Sequence, residues 1–188
     1  NVKRATRQWY KLYGLLNRLG VNIEIIPPDD TLRTLVFTCD NAFIYQQKAI
    51  SANFKNKPRQ AEPNYIKPYL ENIGIIPINC RGLIEGGDIR LSTDHTTLWI
   101  GYGFRTELLA INYIKHFNWL PKNIYSLKLI DPFFFHLDTC FCPFGNKYAI
   151  YYPEAFDIPS QDLLLQFYTD DRLIAVTREE ALQFCCNA

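Results

Sequence analysis

Ile130-Asp131-Pro132-Phe133-Phe134-Phe135-His136-Leu137-Asp138-Thr139-Cys140 is the stretch from which the fold is read. An aromatic run, strand-like by composition, delivers a histidine and a carboxylate two residues apart. In extended backbone, residues i and i+2 point to one face, so His136 and Asp138 are expected side by side. An imidazole beside a carboxylate suits proton transfer near neutral pH.

Working outward, this stretch has counterparts. Residues 35–40 and 83–89 are also apolar runs that carry acids, Asp40 in the first and Glu85 and Asp88 in the second. Asp40, Asp88 and Asp138 lie 48 and 50 residues apart, a period characteristic of propellers, solenoids and arrays. Each acid-bearing run (35–40, 83–89, 133–141) reads as a first strand. A second strand (42–45, 97–101, 148–152), a helix (62–72, 105–117, 160–168) and a last strand (74–78, 125–130, 173–176) follow. Ahead of them, residues 1–19 read as an amphipathic helix through Trp9, Leu12, Leu15, Leu16 and Leu19, with Gly20 as its C-cap. Residues 21–26 read as a strand, 27–30 as a turn, 55–58 as a loop and 178–184 as a last helix.

The expected architecture is a single α/β domain over residues 1–188, an α/β propeller of repeated ββαβ units whose acids converge on a common centre. Three whole units and a helix–strand half-unit are legible, and no residue closes the ring. The chain is therefore expected to be truncated or a fragment, lacking its first strand or strands and its C-terminal unit.

Composition narrows the classes. With 48% hydrophobic and 15% aromatic residues the chain is globular and not disordered. A net charge of +1 with interspersed signs offers no electrostatic case for nucleic acid or a membrane surface. Apolar runs are too short to span a bilayer, and no signal peptide opens the chain. The six cysteines lie in or beside apolar runs without a tight disulfide framework, so a reduced, cytoplasmic protein is expected. Homodimerisation is left open.

Glu85-Gly86-Gly87-Asp88 sets two acids around a glycine pair, suiting close approach of backbone to a ligand. Taken alone it reads more readily as a bulge or turn with solvated acids, and His136 alone more readily as a satisfied buried histidine than as a catalyst. The recurrence changes this, because four acids and a histidine occupy equivalent places in successive units. Carboxylates crowded into one pocket need a cation. A guanidinium fits, being planar, weakly hydrated and able to bond carboxylates in bidentate fashion. Cys140-x-Cys142 is a weak metal signal and there is no HExxH or CxxC, so neither a metal nor a cofactor is expected.

Phe37-Thr38-Cys39-Asp40, Glu85-Gly86-Gly87-Asp88, Gly101-Tyr102-Gly103-Phe104-Arg105-Thr106, His136-Leu137-Asp138-Thr139-Cys140-Phe141 and Tyr152-Pro153-Glu154-Ala155-Phe156 together resemble the guanidine-modifying (pentein) superfamily. That group includes arginine deiminase, dimethylarginine dimethylaminohydrolase, amidinotransferases and cyanobacterial-type arginine dihydrolases. The resemblance runs from about Gln8 to the end and implies a five-unit α/β propeller. It implies His136 as general acid/base, with Glu85 acting beside it, and Asp40 and Asp138 holding guanidinium nitrogens. Asp88 would support the pocket, and Arg105, with Arg59 as a second candidate, would meet the substrate α-carboxylate. The implied chemistry is covalent: a cysteine thiolate attacks the guanidinium carbon, the amine leaves, and water hydrolyses the thiouronium intermediate.

Two departures from the pattern matter. The family's nucleophilic cysteine lies in a later unit on a glycine-rich loop, and Cys185 and Cys186 do not match that loop. Dihydrolase-type members have asparagine where Asp40 falls, whereas aspartate is the deiminase and dimethylargininase pattern. The expected function is hydrolysis of a free arginine-like amino acid, its nucleophile beyond residue 188. The alternatives are an amidinotransferase and a non-catalytic relative that binds such a ligand or a protein partner.

Overall fold

Left-handed backbone at Gln46 and Gln47 (φ 46° and 60°) joins β1 (Ala42–Tyr45) to β2 (Lys48–Ser51) through a two-residue loop, with Tyr45 paired to Lys48. Positive φ at both loop residues matches the twist of an antiparallel hairpin. β2 then runs parallel to β3 (Ile76–Asn79). A parallel neighbour demands a crossover, which α2 (Glu62–Asn72) supplies. This ββαβ unit occurs three times in a computed structural model that describes residues 1–145 and 147–187.

The second unit is β4 (Ile89–Leu91), β5 (Thr97–Tyr102), α3 (Leu108–Ile114) and β6 (Asn123–Lys128). The third is β7 (Phe141–Phe144), β8 (Tyr148–Tyr151), α4 (Ile158–Phe167) and β9 (Leu173–Ala175). In both, the first pair is antiparallel and the second parallel, so the three sheets have orders β1-β2-β3, β4-β5-β6 and β7-β8-β9. No strand is shared between sheets among the described residues. α1 (Val2–Arg18) precedes them and α5 (Arg178–Leu182) follows. Gly20 ends α1 in left-handed backbone, and Val21 N–H reaches back to Leu16 O, as the C-cap reading requires.

The core is built where units meet. Trp99 of β5 packs edge-on against Phe141 of β7 and stacks with Tyr168 after α4. A second cluster joins Ile50 of β2 to Ile89, Leu98 and Ile100 and to the α3 face Ala110, Ile111 and Ile114. α1 is the exception: none of its residues is buried, and Trp9, Leu12 and Leu15 are exposed.

Several expected strands are corrected. Residues 35–40, 83–89 and 133–141 are not strands through their acids. Asp40, Asp88 and Asp138 lie in short 3-10 turns (Thr38–Asn41, Gly86–Asp88, Leu137–Thr139) directly ahead of, or one residue before, the first strand of each unit, and Glu85 is the extended residue that leads into the second turn. Backbone bonds from Asp40 N–H to Phe37 O, Asp88 N–H to Glu85 O and Cys140 N–H to Leu137 O close these turns. The first turn packs on the second and the second on the third, with the acids at the junction. Residues 21–26 form no strand either. Their β-branched composition is strand-like, but a strand is stabilised by a ladder partner, and none lies beside them among the described residues. The expected helix over 105–117 begins at Leu108, leaving Arg105 in the preceding loop.

Candidate active site

Three turns from three units surround His136. Its Nε2 lies 2.8 Å from Oε2 of Glu85, and its Nδ1 lies 3.8 Å from Oδ1 of Asp40. All three side chains are buried. Burial alone would lower the His136 pKa, but the Glu85 hydrogen bond and the charges of Asp88, Asp40 and Glu85 outweigh it and raise the pKa. The imidazole is held between the carboxyl groups of Glu85 and Asp40.

The expectation that Asp138 is the partner of His136 is corrected here. His136 is extended, but Leu137 begins a 3-10 turn, and the alternation of an extended strand is lost. Oδ2 of Asp138 instead pairs with Nη2 of Arg90 on β4 at 3.1 Å. Burial raises the Asp138 pKa despite the opposing charges of Arg90 and His136.

Glu85 is fully buried, and its Oε2 also meets Nη1 of Arg105 at 3.3 Å. Its second oxygen, Oε1, is buried with no hydrogen-bond partner among the described residues. Such an orphan acceptor is costly unless a donor arrives. Arg105 lies in the β5–α3 loop, part-exposed, with its guanidinium 4.5 Å from the centre of the Phe135 ring. The next residue, Thr106, accepts from Glu85 N–H at 3.2 Å, tying this loop to the acidic turn.

Asp88 sits behind His136. Its Oδ1 accepts from Leu137 N–H at 3.1 Å, bracing the third turn against the second. Burial pushes its pKa up to about 7, with His136, Thr106 and Leu137 opposing that shift.

Asp40 bridges outward. Its Oδ2 accepts from Nη1 of Arg59 at 2.6 Å, while Asn41 turns to Glu62, donating from Nδ2 at 3.1 Å. Asp40, not Asn41, is therefore the residue of that pair that faces His136. Arg59 is seated differently from its expected place at an α-carboxylate. It is buried, its Nε and Nη2 donate to Glu62, its Nη2 also reaches Phe37 O at 3.5 Å, and it stacks 4.2 Å from the Phe54 ring centre. Sequence reasoning missed Glu62, Arg90 and Thr106. Glu62 was findable as the acid three residues past Arg59 at a helix start. Arg90 was findable as the next-but-one residue after Asp88.

The glycine pair is a packing requirement. A Cβ at Gly86 would overlap the Cys39 carbonyl oxygen, and one at Gly87 would lie 2.7 Å from Asp40 Oδ1 and 2.9 Å from His136 Nδ1. Only hydrogen at these positions lets the turns meet.

Cys39 is the cysteine beside this centre, its Sγ 3.7 Å from Asp40 Oδ1. Burial, then the charges of Asp40 and Asp138, push its pKa to about 11, so it is a thiol and a poor nucleophile. Cys140 is buried and its pKa is likewise raised by burial. The Cys39, Asp40 and Asp138 ligand atoms lie within 4.8 Å of one another. Both carboxylates are already paired with arginines, which leaves this group poorly charged for a metal.

Comparison with known proteins places this geometry. Residues 1–188 match the family described as N,N dimethylarginine dimethylhydrolase, eukaryotic. The chain is 36% identical over 187 residues to the bifunctional arginine dihydrolase/ornithine cyclodeaminase AgrE of Nostoc sp., covering 98% of this chain and 26% of that protein. It is 32% identical over 189 residues to the N(G),N(G)-dimethylarginine dimethylaminohydrolase of Mycobacterium tuberculosis, covering 100% of this chain and 61% of that one. Among solved structures, the N-terminal domain of ArgZ, a cyanobacterial arginine dihydrolase, in a cysteine-to-serine variant bound to substrate, superposes with a TM-score of 0.93 at 34% identity, over 100% of this chain and 69% of that one. The chain thus spans about a quarter of the length of the bifunctional relatives.

Proposed function

Because the chain belongs to the N,N dimethylarginine dimethylhydrolase family, within the guanidine-modifying pentein superfamily, we propose that it supplies the acid/base half of a hydrolase acting on the guanidinium group of a free arginine-like amino acid. Its fold is the α/β fold of that superfamily. The observation that carries the reading is His136 held between Glu85 and Asp40, with the second oxygen of Glu85 buried and lacking a donor. A guanidinium N–H is the donor that oxygen lacks.

In this reading Asp40 and Asp138 hold guanidinium nitrogens, Glu85 takes the nitrogen nearest His136, and Arg105 at the rim meets the α-carboxylate. Asp88 supports the third turn, and Arg59 fixes Asp40 from behind. Protonated His136 gives its proton to the departing amine as the carbon–nitrogen bond breaks. The neutral imidazole then takes a proton from the water that opens the thiouronium. Cys39 and Cys140 are ill-suited as nucleophile, so the reading takes that cysteine from outside residues 1–188. A cysteine-to-serine change in substrate-bound ArgZ agrees with such a role in a relative.

The test is amine release by the protein carrying its nucleophile. Arginine, methylated arginines and other guanidino compounds are the substrates to offer. His136→Ala is expected to lose activity by about 10²–10⁴-fold, the usual share of general acid–base catalysis. Citrulline as product marks loss of one amine and ornithine loss of both. A protein that releases no amine from any guanidino compound overturns the hydrolase.

A further inference from the structure

Three of the four acids at the centre each meet an arginine: Asp40 with Arg59, Glu85 with Arg105, Asp138 with Arg90. Their surroundings differ. Arg59 is locked in place, with 6% of its side chain exposed and three acceptor groups around its guanidinium. Arg105 is anchored on the Phe135 ring. Among the described residues Arg90 has one ion-pair partner, with one nitrogen 3.1 Å from Asp138, and 28% of its side chain is exposed. It projects from the short strand β4, two residues after Asp88, so it can swing into water without moving backbone.

We infer that Arg90 is a resident guanidinium that occupies Asp138 in the ligand-free protein, competes with the incoming guanidinium, and so sets affinity at this subsite. The inference rests on the reading of Asp138 as a guanidinium-binding carboxylate. A planar fork that bonds a carboxylate through both nitrogens displaces a partner held by one. The displaced group loses little, since a part-exposed ion pair is worth about 0.2–1 kcal/mol. Asp138, buried with its pKa raised, gains more from a cation that also excludes water. This requirement discriminates between ligands: a monodentate ammonium has no second nitrogen with which to outcompete Arg90.

The experiment measures binding of methylguanidinium, by titration near pH 8, to the protein and to Arg90→Gln. Gln removes the charge and keeps a long polar side chain. Affinity is expected to rise by about 1.5- to 5-fold, which is 0.2–1 kcal/mol converted at room temperature. Methylammonium affinity should stay weak in both. With a turnover assay, Arg90→Gln should lower KM and leave kcat unchanged, because Arg90 is displaced before the chemistry. Arg90→Met gives a second charge removal if the Gln variant does not fold. Unchanged or weaker methylguanidinium binding in the variants overturns the inference, as does absence of binding in both protein and variant; Arg90 would then be a brace for Asp138. Tighter binding in the variants, with no amine released from any guanidino compound, leaves Arg90 as the competitor and instead sinks the hydrolase.

Discussion

His136 and Asp88 show how residue-level electrostatics divides tasks between neighbouring buried groups. The His136 pKa is raised because the Glu85 hydrogen bond and the charges of Asp88, Asp40 and Glu85 outweigh the burial that would lower it. At Asp88 the balance goes the other way: burial outweighs His136, Thr106 and Leu137, and lifts it to about 7. The sign of the stability effect follows. The folded-state value of Asp88 lies above its ordinary 3.8, so the folded state binds that proton more tightly. Its stabilisation is full below pH 3.8 and is lost as pH rises to about 7, a loss of roughly 4 kcal/mol at 1.36 kcal/mol per unit. Asp88→Asn keeps the acceptor for Leu137 N–H and cannot ionise. Urea denaturation between pH 4 and 8 should show a steep fall for the protein and a flatter curve for the variant, with Asp88→Asn the more stable form at pH 8. His136 adds a fall of the same sign as pH rises past 6.5, since its folded-state value is also raised, and this part is smaller in the variant, which lacks the Asp88 charge. Equal slopes in both proteins would show that Asp88 is not the titrating group.

Among the elements, the 3-10 turns decide the site, and they are where sequence reading failed most instructively. Period, unit order and helix α2 were all readable, because apolar spacing and Gly or Pro boundaries are local signals. The Asp40, Asp88 and Asp138 recurrence correctly located the convergence of units. The backbone carrying those acids was misread, because an apolar run before an acid looks like a strand until tertiary packing bends it. Gly86 and Gly87 make that packing possible, and their pairing with specific atoms across two turns cannot be seen in one segment. The same is true of Arg59 with Glu62 and of Arg90 with Asp138, since side-chain partners brought together by folding leave no mark on spacing. Gly87→Ala therefore tests the turn itself. Its Cβ would press on Asp40 and His136, and overpacking of this kind costs about 1–3 kcal/mol. Thermal or chemical denaturation should register that loss, together with a drop in turnover larger than stability accounts for. A variant as stable and active as the parent would mean the turns can spread apart freely.

At the scale of the whole molecule, three separate sheets hold together through side chains and through backbone bridges, Asn53 with Ile84 between the first two units and Leu129 with Phe156 between the last two. Trp99 is fully buried and bridges the second and third units through Phe141 and Tyr168. Trp99→Ala should cost about 3–5 kcal/mol, the usual range for emptying a large aromatic site, measured as a shift in denaturant midpoint with unchanged slope. A cost below about 1 kcal/mol would place the inter-unit attachment elsewhere. Among the described residues no helix is long and apolar enough to cross a membrane.

The meeting of three turns also bears on kinetics. Every hairpin here closes within its own unit, whereas the His136–Glu85 bond spans 51 residues and exists only once two units have docked. Long-range closure is slow and comes after local pairing. The proton-handling centre is therefore expected to form after the hairpins, at the step in which the units dock. Chemical competence is accordingly expected to depend on docking of the units and to be lost with it, whether or not the hairpins that frame the centre persist.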